Sequence, residues 1–387
     1  MRHLFLILVA LVLFSLPVCA QVDPMKRNQL QIGYDQFLEG KGPQALYLYY
    51  YLNVPALVRS NVTLRLAVAP AYLDSEVGFR GLISPTTDFG IGIAGGAFSD
   101  NYYDVSQGYY NREQSFDGNG GGVSLGIYQR LNPGQLIPVH LVVRGGARYT
   151  TYSDTSHTAD DFELPGDRVN LFTRVGMRIA GKEPYLYPDL GLEFSVWFER
   201  QWRLPSDSYG FNDELQVNAA ENLFWAYAGI NYAWTNIGHR ISFAVTVGGS
   251  DNADHFSAWR LGGVLPLVAE FPLIIPGYYY QELSATRYLH LYGGYGIPLD
   301  SKDRWSLRLE GAGAMVEYLP GFEQPGKWNT GVGCGLIYTS PNKVLKVAVR
   351  YGYGFSAIRD GEKGASSVGI LFQYDFQASK QKRSKAN

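Results

Sequence analysis

Apolar and polar side chains alternate along this chain, and that pattern constrains its fold more than any other feature. It is clearest over residues 169–179, where apolar residues recur at nearly every second position with Arg174 and Arg178 between them, and it returns in segment after segment up to Phe376. Successive side chains of a β-strand point to opposite faces, so each such segment predicts a strand with one apolar and one polar surface. We therefore expect an all-β chain whose strands form the wall of a membrane barrel.

The first twenty residues have the pattern of a secretory signal peptide. Arg2 precedes an apolar run that ends at Pro17, and cleavage is expected after Ala20. The predicted parts are the signal peptide 1–20, a barrel 21–376 and a basic periplasmic tail 377–387. Cleavage would leave Cys334 as the only thiol, which excludes an internal disulfide.

Composition excludes some classes of protein and favours others. The formal net charge is −2, so the sequence lacks the excess of basic residues that nucleic-acid binding requires, and we expect no such partner. After the signal peptide no apolar run approaches the roughly 18 residues that a membrane-spanning helix needs. The 29 Tyr, 20 Phe, 7 Trp and 45 Gly are typical of barrel strands with aromatic girdles and tight turns. Several soluble β-sandwich domains are the alternative.

Strand positions and loop lengths distinguish these two architectures. The alternation predicts sixteen strands, at 30–38, 45–54, 62–72, 75–83, 86–98, 120–131, 137–152, 168–181, 188–203, 223–235, 239–250, 287–299, 304–318, 328–340, 344–357 and 364–376. Short connections, such as 236–238 and 300–303, interleave with the long ones 99–119, 153–167, 204–222, 251–286 and 319–327. Outer-membrane barrels have short periplasmic turns and long external loops, whereas a sandwich has no reason to sort its loops. The sequence therefore predicts a 16-stranded antiparallel transmembrane β-barrel.

The alternation also assigns the two faces of the wall. On strand 188–203, Leu190, Leu192, Phe194, Val196 and Phe198 should contact lipid, while Glu193, Ser195, Glu199 and Gln201 face the lumen. With the arginines of the two preceding strands, the predicted lumenal charge cluster comprises Arg144, Arg148, Arg168, Arg174, Arg178, Glu193 and Glu199. Cross-strand pairs can hold such charges in a confined interior. Two interpretations stay open: pairs that stiffen the wall and fill the lumen, or a strip that attracts anions during transport.

The segment after strand 239–250 carries three short motifs. They are Trp259-Arg260-Leu261-Gly262-Gly263, Pro276-Gly277-Tyr278 and Gln281-Glu282-Leu283. Together with the last strands, they resemble the bacterial surface antigen superfamily of outer-membrane barrels, whose members include the barrel-assembly factor, the two-partner secretion transporters and the patatin-linked barrels. The resemblance implies a barrel whose long external loop folds into the lumen, tipped by an Arg-Gly-aromatic motif. It gives the lumenal-loop residues as Arg260, Gly262, Gly263, Gly277, Tyr278 and Glu282.

The last strand matches a terminal signal of the form polar-x-Gly-x-x-aromatic-x-aromatic. The residues concerned are Ser367, Gly369, Phe372, Tyr374 and Phe376. The resemblance implies that the barrel-assembly machinery recognises these residues during biogenesis.

Three departures from the family pattern weaken an inference of protein insertion or secretion. Pro276 stands where the family has its motif arginine, so the ion pair that fixes the loop tip to the wall is not evident, and Arg260 and Arg287 are the candidate substitutes. The first strand begins near Gln29, which leaves no room for periplasmic polypeptide-transport-associated repeats. Residues 377–387 follow the terminal aromatic.

A hydrolase is a further hypothesis, because residues 122–126 spell the nucleophile pattern G-x-S-x-G around Ser124. That pattern needs a strained turn from a strand into a helix, whereas here it lies within an alternating strand. His140 and His290 also fall on predicted strands, without an assigned partner. The histidines lack the spacing of metal ligands, so we expect neither a metal nor a cofactor.

These observations lead to one expected function and two rivals. We expect an outer-membrane barrel that acts as a conduit or scaffold for polypeptide or lipid translocation or insertion. Its partners would be outer-membrane lipid, the barrel-assembly machinery during biogenesis, and a polypeptide or lipid cargo. The first rival is a passive diffusion pore for small solutes, and the second is an outer-membrane hydrolase.

Overall fold

The computed structural model describes residues 25–69, 72–95, 100–181, 186–265 and 273–379, and strands dominate them. In chain order these are β1 Arg27–Phe37, β2 Ala45–Pro55, β3 Val62–Ala69, β4 Tyr72–Ser84, β5 Thr87–Gly95, β6 Asp100–Ser106, β7 Tyr109–Arg130, β8 Val139–Asp154, β9 Arg168–Gly181, β10 Leu190–Leu204, β11 Ser208–Tyr209, β12 Leu215–Gln216, β13 Ala220–Trp234, β14 His239–Asp251, β15 Trp259–Leu261, β16 Leu283–Pro298, β17 Trp305–Tyr318, β18 Trp328–Thr339, β19 Leu345–Arg359 and β20 Glu362–Asp375. A short 3₁₀ helix, Phe211–Asp213, lies between β11 and β12. Within the described ranges, no helix has the length and apolar character to span a bilayer.

Sixteen of these strands form one closed antiparallel barrel. Their order around the wall is β1, β2, β3, β4, β5, β7, β8, β9, β10, β13, β14, β16, β17, β18, β19 and β20. The last strand returns to the first over nine residue pairs, from Gln29 with Asp375 to Phe37 with Ser367. Closure removes the two unpaired edges that an open sheet would present. The predicted fold class, a 16-stranded antiparallel barrel, is confirmed.

One predicted loop is wrong. From Asp100 onward, the segment 99–119 is a β-hairpin, in which β6 pairs with the first part of β7 and the chain turns at residues 107–108. Tyr, Asn and Asp are the commonest residues of this hairpin, and the glycines at 120–122 follow it. The hairpin extends beyond the wall strands, where neither face contacts lipid, so its sequence has no apolar alternation to mark it as a strand. Residue 99 lies outside the described part of the chain.

The two faces of the wall follow the predicted alternation. On β10, four apolar side chains are exposed on the outer surface and four polar ones are buried in the lumen: Leu190, Leu192, Phe194 and Val196 outside, Glu193, Ser195, Glu199 and Gln201 inside. Phe198 is only partly exposed, because its ring packs against Phe224 of β13 with centroids 4.8 Å apart. Cys334 is likewise exposed on the outer face of β18, in phase with Val332 and Leu336.

The connections differ between the two ends of the barrel. The end that holds both Arg27 and Asp375 has short turns, such as 85–86, 235–238 and 340–344. The opposite end has the long segments 155–167, 205–219 and 252–282. In the geometry of outer-membrane barrels, the first end faces the periplasm and the second faces outside.

Candidate functional site in the barrel lumen

The segment between β14 and β16 spans residues 252–282, and we call it the lumenal loop; its described residues, 252–265 and 273–282, enter the lumen from the external end. Its strand β15 pairs with β16, and beyond it the Gly262 amide donates to the Leu273 carbonyl at 2.9 Å. The Val264 amide donates to the Asp35 carboxylate on β1 at 3.0 Å. Since β14 is the eleventh strand around the wall and β1 is the first, this contact shows that the loop reaches well across the barrel. The inward-folding external loop that the resemblance implied is present.

The tip of the lumenal loop, Pro276-Gly277-Tyr278, lies against β18, β19 and β20. The Gly277 amide donates to Ser367 Oγ at 3.2 Å, and the Tyr278 hydroxyl donates to Asn329 Oδ1 at 3.1 Å. Gly277 has φ +88°, and a Cβ there would lie 1.9 Å from the Gly354 amide nitrogen. Only glycine combines this left-handed backbone with so close an approach, so the sequence of the tip and its position in the wall depend on one another.

An ion pair holds the tip, although the sequence analysis found none. Arg359, at the outer end of β19, donates to both carboxylate oxygens of Glu282 at 2.9 and 2.8 Å. Its guanidinium also lies 3.4 Å from the centre of the Tyr279 ring. Burial raises the pKa of Tyr279 to about 12, so the ring stays a neutral partner for the cation. The loop thus supplies the acid and the wall supplies the arginine, and the absence inferred from Pro276 is corrected.

The two substitutes proposed from the sequence do not fix the tip. Arg260 donates to the backbone carbonyls of Tyr103 at 3.3 Å and of His255 at 3.5 Å. Arg287 lies beside Glu317 at 3.6 Å, with both side chains more than half exposed. Arg359 replaces both of them as the latch, and we call the Arg359–Glu282 pair the loop latch from here on.

The predicted lumenal charge cluster consists largely of ion pairs. Arg174 bonds Glu199 at 2.6 Å, Arg178 bonds Glu193 at 2.9 Å, and Arg144 bonds Asp74 of β4 at 2.6 Å. Arg168 lies apart, at the outer end of β9, where it pairs with Asp207 at 3.2 Å. Arg148 stacks over the Phe172 ring at 4.4 Å. Because most of these arginines are paired with carboxylates, the geometry favours stiffening of the wall over a strip that attracts anions.

A second segment enters the lumen from the periplasmic end. Leu186, in the turn between β9 and β10, donates its amide to Gln373 Oε1 of β20 at 2.8 Å and accepts from Lys346 Nζ of β19 at 2.7 Å. Tyr187 lies under the Arg308 guanidinium at 4.4 Å. Strands β9 and β10 lie opposite β20 and β1 in the wall order, so these residues reach across the periplasmic mouth. Leu186 joins the lumenal loop's Val264 and Leu265 in one buried apolar cluster.

Outside the membrane, the external segments form a cap with its own aromatic core. Phe116, Phe162 and Tyr209 pack together, with Phe256 of the lumenal loop against them. His255 Nε2 lies 2.8 Å from the Asp104 carboxylate. Burial opposes the ionisation of Asp104, but His255 and Arg260 outweigh burial and hold its pKa below the usual value. The root of the lumenal loop is therefore fixed within the cap.

The residues considered for a hydrolase do not form a catalytic group. Ser124 lies within β7 and accepts hydrogen bonds from Arg144 at 3.0 and 3.1 Å. In the pairing of β7 with β8, Ser124 faces Gly146 whereas His140 faces Arg130, six positions away or about 20 Å along the strand. His290 donates from Nε2 to the Ile274 carbonyl at 2.8 Å and so supports the lumenal loop. Within the described part of the chain, no three His, Cys, Asp or Glu side chains could hold a metal.

Several residues of the site escape prediction from sequence. Arg359 was placed in a turn, and its partner Glu282 is 77 residues away. Asp35 and Lys346 read as ordinary members of alternating strands, and Leu186 read as part of a short turn. These contacts join residues that are distant in the sequence, so only the folded barrel identifies them.

Comparisons with known proteins agree with this architecture. No family model matches the sequence, and no curated protein matches it. Among solved structures, CdiB from Acinetobacter baumannii is similar with TM-score 0.59 and 10% identity, over 91% of this chain and 60% of that chain. BamA from Haemophilus ducreyi lacking POTRA domains 1-3 is similar with TM-score 0.53 and 9% identity, over 90% and 70%. OprB from Pseudomonas putida is similar with TM-score 0.50 and 10% identity, over 90% and 94%.

These likenesses show the fold. CdiB and BamA share the barrel architecture of this chain, so the comparison agrees with the expected resemblance as far as the fold. The chain spans about three fifths of the CdiB chain. A closed barrel with this fold supports location in an outer membrane.

Proposed function

We propose that this protein is a gated conduit or scaffold for moving or inserting a polypeptide or lipid at the outer membrane, with the lumenal loop as its gate. The loop latch carries the proposal. The tip of the loop has a defined closed position, which is set by a bidentate ion pair, a cation–π contact and the close approach of Gly277 to β19.

Occupation of the lumen from both ends supports gating. The lumenal loop fills the space against β18 to β20, and Leu186 and Tyr187 fill the periplasmic mouth beside them. A passive pore needs a continuous water path at rest. The described lumen instead joins the two segments in one apolar cluster.

A diffusion pore is the second candidate, and one observation favours it. Arg174 and Arg178 keep about a quarter of their side-chain surface exposed, so water reaches the charged wall of β9. The OprB likeness is compatible with this reading, although identity of 10% extends no further than fold.

Biogenesis completes the proposal. A signal peptide at 1–20 would direct export, and the terminal-strand residues Ser367 to Phe376 would engage the assembly machinery. Residues 1–24 and 380–387 lie outside the described structure, so the signal peptide and most of the basic tail stay predictions.

Planar-bilayer recording and depletion test the function together. The wild-type protein should show low, flickering conductance, and deletion of residues 264–282 together with Lys346→Met, which loosens the periplasmic segment, should open it. Steady ohmic conductance that the deletion barely changes would establish the pore instead. Depletion in cells should alter outer-membrane protein or lipid composition, and an unchanged composition would remove the translocation proposal.

A further inference from the structure

Four aromatic side chains form a continuous row inside the barrel, three from the wall and one from the lumenal loop, and we call them the aromatic row. Trp197 of β10 stacks on Trp225 of β13 with centroids 6.1 Å apart. Trp259 of the lumenal loop lies 5.6 Å from Trp225 and 5.5 Å from Tyr288 of β16. The strand pairing sets the three wall residues at one level, because Trp197 faces Trp225, Trp225 faces Gly248, and Gly248 faces Tyr288.

Gly248 leaves room for the Tyr288 ring at this level, and Trp259 packs against the wall rings from the lumenal loop. A Cβ on Gly248 would lie 2.2 Å from the Tyr288 ring, so the wall rings need this position free of a side chain. Trp259 contacts both the Trp225 ring and the Tyr288 ring. The wall therefore presents an aromatic surface, and the lumenal loop covers it with Trp259 and, beside it, Leu273.

The polar atoms of the row have no partners. The indole nitrogens of Trp197, Trp225 and Trp259 and the Tyr288 hydroxyl are all buried, and none has a hydrogen-bond partner among the described residues. Trp197, Trp225 and Tyr288 are each only 5% exposed. The great majority of buried donors in native structures are paired, and an unpaired one loses its hydrogen bonds to water without gaining one in the protein. Four in one row make the covered state costly at this spot and favour an uncovered state in which they find acceptors.

We propose that the wall residues of the aromatic row, Trp197, Trp225 and Tyr288, form a covered binding surface for a neutral oligosaccharide chain, which Trp259 closes and withdrawal of the lumenal loop opens. An indole nitrogen only donates, so the ligand must supply acceptors. Aromatic rings also present flat apolar surfaces, which suit the C–H faces of a sugar ring. Sugar hydroxyl and ring oxygens accept from the row.

The neighbouring charges select for a neutral ligand. Arg174 lies 4.9 Å over the Trp225 ring, and Glu199 already holds its charge at 2.6 Å. An anion would therefore gain little there. An extended peptide offers carbonyl acceptors, but each one comes with an amide donor, and three of the four polar groups of the row cannot accept. A sugar hydroxyl can turn its own proton toward a neighbouring hydroxyl, so it leaves no donor unpaired.

Calorimetric titration of the full chain, in a detergent without a sugar headgroup, tests the proposal. The probes are maltohexaose, a neutral Gly-Ser peptide and inorganic phosphate, with digalactosyl diacylglycerol in the micelle to separate a lipid-borne saccharide from a free one. Trp259→Ala should bind sugar at least about tenfold more tightly than wild type, because the covering ring is gone. Adding Trp225→Phe, which keeps a ring but removes the donor, should weaken this about tenfold, which corresponds to ~1.4 kcal/mol.

Trp202→Phe in the same background is the matched control, since Trp202 lies on β10 but faces outward. Its sugar affinity should equal that of Trp259→Ala alone. Arg359→Gln, which releases the loop away from the row, should raise the affinity by a second route, and retention of heat-modifiable mobility in gels shows that each variant is folded. Absence of sugar binding in both opened variants, equal effects of Trp225→Phe and Trp202→Phe, or peptide or phosphate binding as tight as sugar would overturn the proposal.

Discussion

At the scale of single residues, the loop latch has the opposite polarity from the one that the resemblance implies. The family motif places an arginine in the loop, whereas here Glu282 is in the loop and Arg359 is in the wall. The sequence could identify Glu282 as a motif residue but could not identify its partner, because any of the lumenal arginines was available to it. Pairing depends on which strand ends lie near the tip, and this depends on closure of the whole barrel.

Arg359→Gln should destabilise the closed state strongly. The substitution leaves the Glu282 carboxylate buried without its cation, and breaking a buried pair in this way costs about 3–5 kcal/mol. Equilibrium unfolding in urea, followed by intrinsic fluorescence, measures the loss. Arg287→Gln is the control, since Arg287 and Glu317 are 68% and 60% exposed and 3.6 Å apart, and exposed pairs contribute below about 1 kcal/mol. Equal losses of unfolding free energy in the two variants would mean that the Arg359–Glu282 pair does not hold the loop.

Gly277→Ala should unseat the loop tip. The new methyl group would meet the Gly354 amide, so the tip must lift from β19. Gly321→Ala is a matched control, because Gly321 has nearly the same φ, +89°, and a Cβ there would meet no atom within 4 Å. Both variants carry the left-handed strain of about 1–2 kcal/mol, and only Gly277→Ala should expose the lumenal loop to proteinase K. Equal protection in both would show that the tip tolerates the methyl group.

At the scale of elements, strand alternation predicted the wall strands and failed beyond the membrane. Lipid requires an apolar residue at every second outward position, so β10 is readable from its sequence. The outer part of β7 has water or the cap on both sides, which removes that requirement, and residues 109–119 read as loop. The lumenal loop was placed correctly because its motifs resemble a family, but its path to Asp35 was not foreseeable from local sequence.

The two inserted segments should act as barriers in series. Lys346→Met removes the donor to the Leu186 carbonyl and loosens the periplasmic turn, while Arg359→Gln loosens the external loop. Current through two constrictions in series is limited by the narrower one, so either single variant should raise conductance little. The double variant should raise it by more than the sum of the two, as measured in planar bilayers.

Lys343→Met is the control for this experiment, because Lys343 lies exposed in the adjacent turn and loses the same charge. Combined with Arg359→Gln, it should add nothing. A simple sum in the Lys346 double variant would mean that the segments close separate paths rather than one.

At the scale of the whole molecule, the barrel's stability depends on the solvent at each height of its outer surface. Exposed Leu, Ile, Val and Phe side chains cover the wall on β10, β13, β14 and their neighbours. In water such a surface would be an aggregation hazard, whereas in hydrocarbon it matches its surroundings. The same surface therefore distinguishes a membrane protein from a soluble barrel.

An arginine scan along β10 measures that solvent directly. Val196 is in the middle of the strand and Leu204 is its last residue, and both point outward with exposures of 43% and 61%. If lipid surrounds the barrel, Val196→Arg should cost about 2–4 kcal/mol, and Leu204→Arg, near the interface, only about 0–1 kcal/mol. Reversible unfolding of the protein in lipid vesicles gives both values. In a water-surrounded barrel, a guanidinium at either position would stay hydrated, so two equally small costs would contradict the membrane-spanning wall on which the gate and its latch depend.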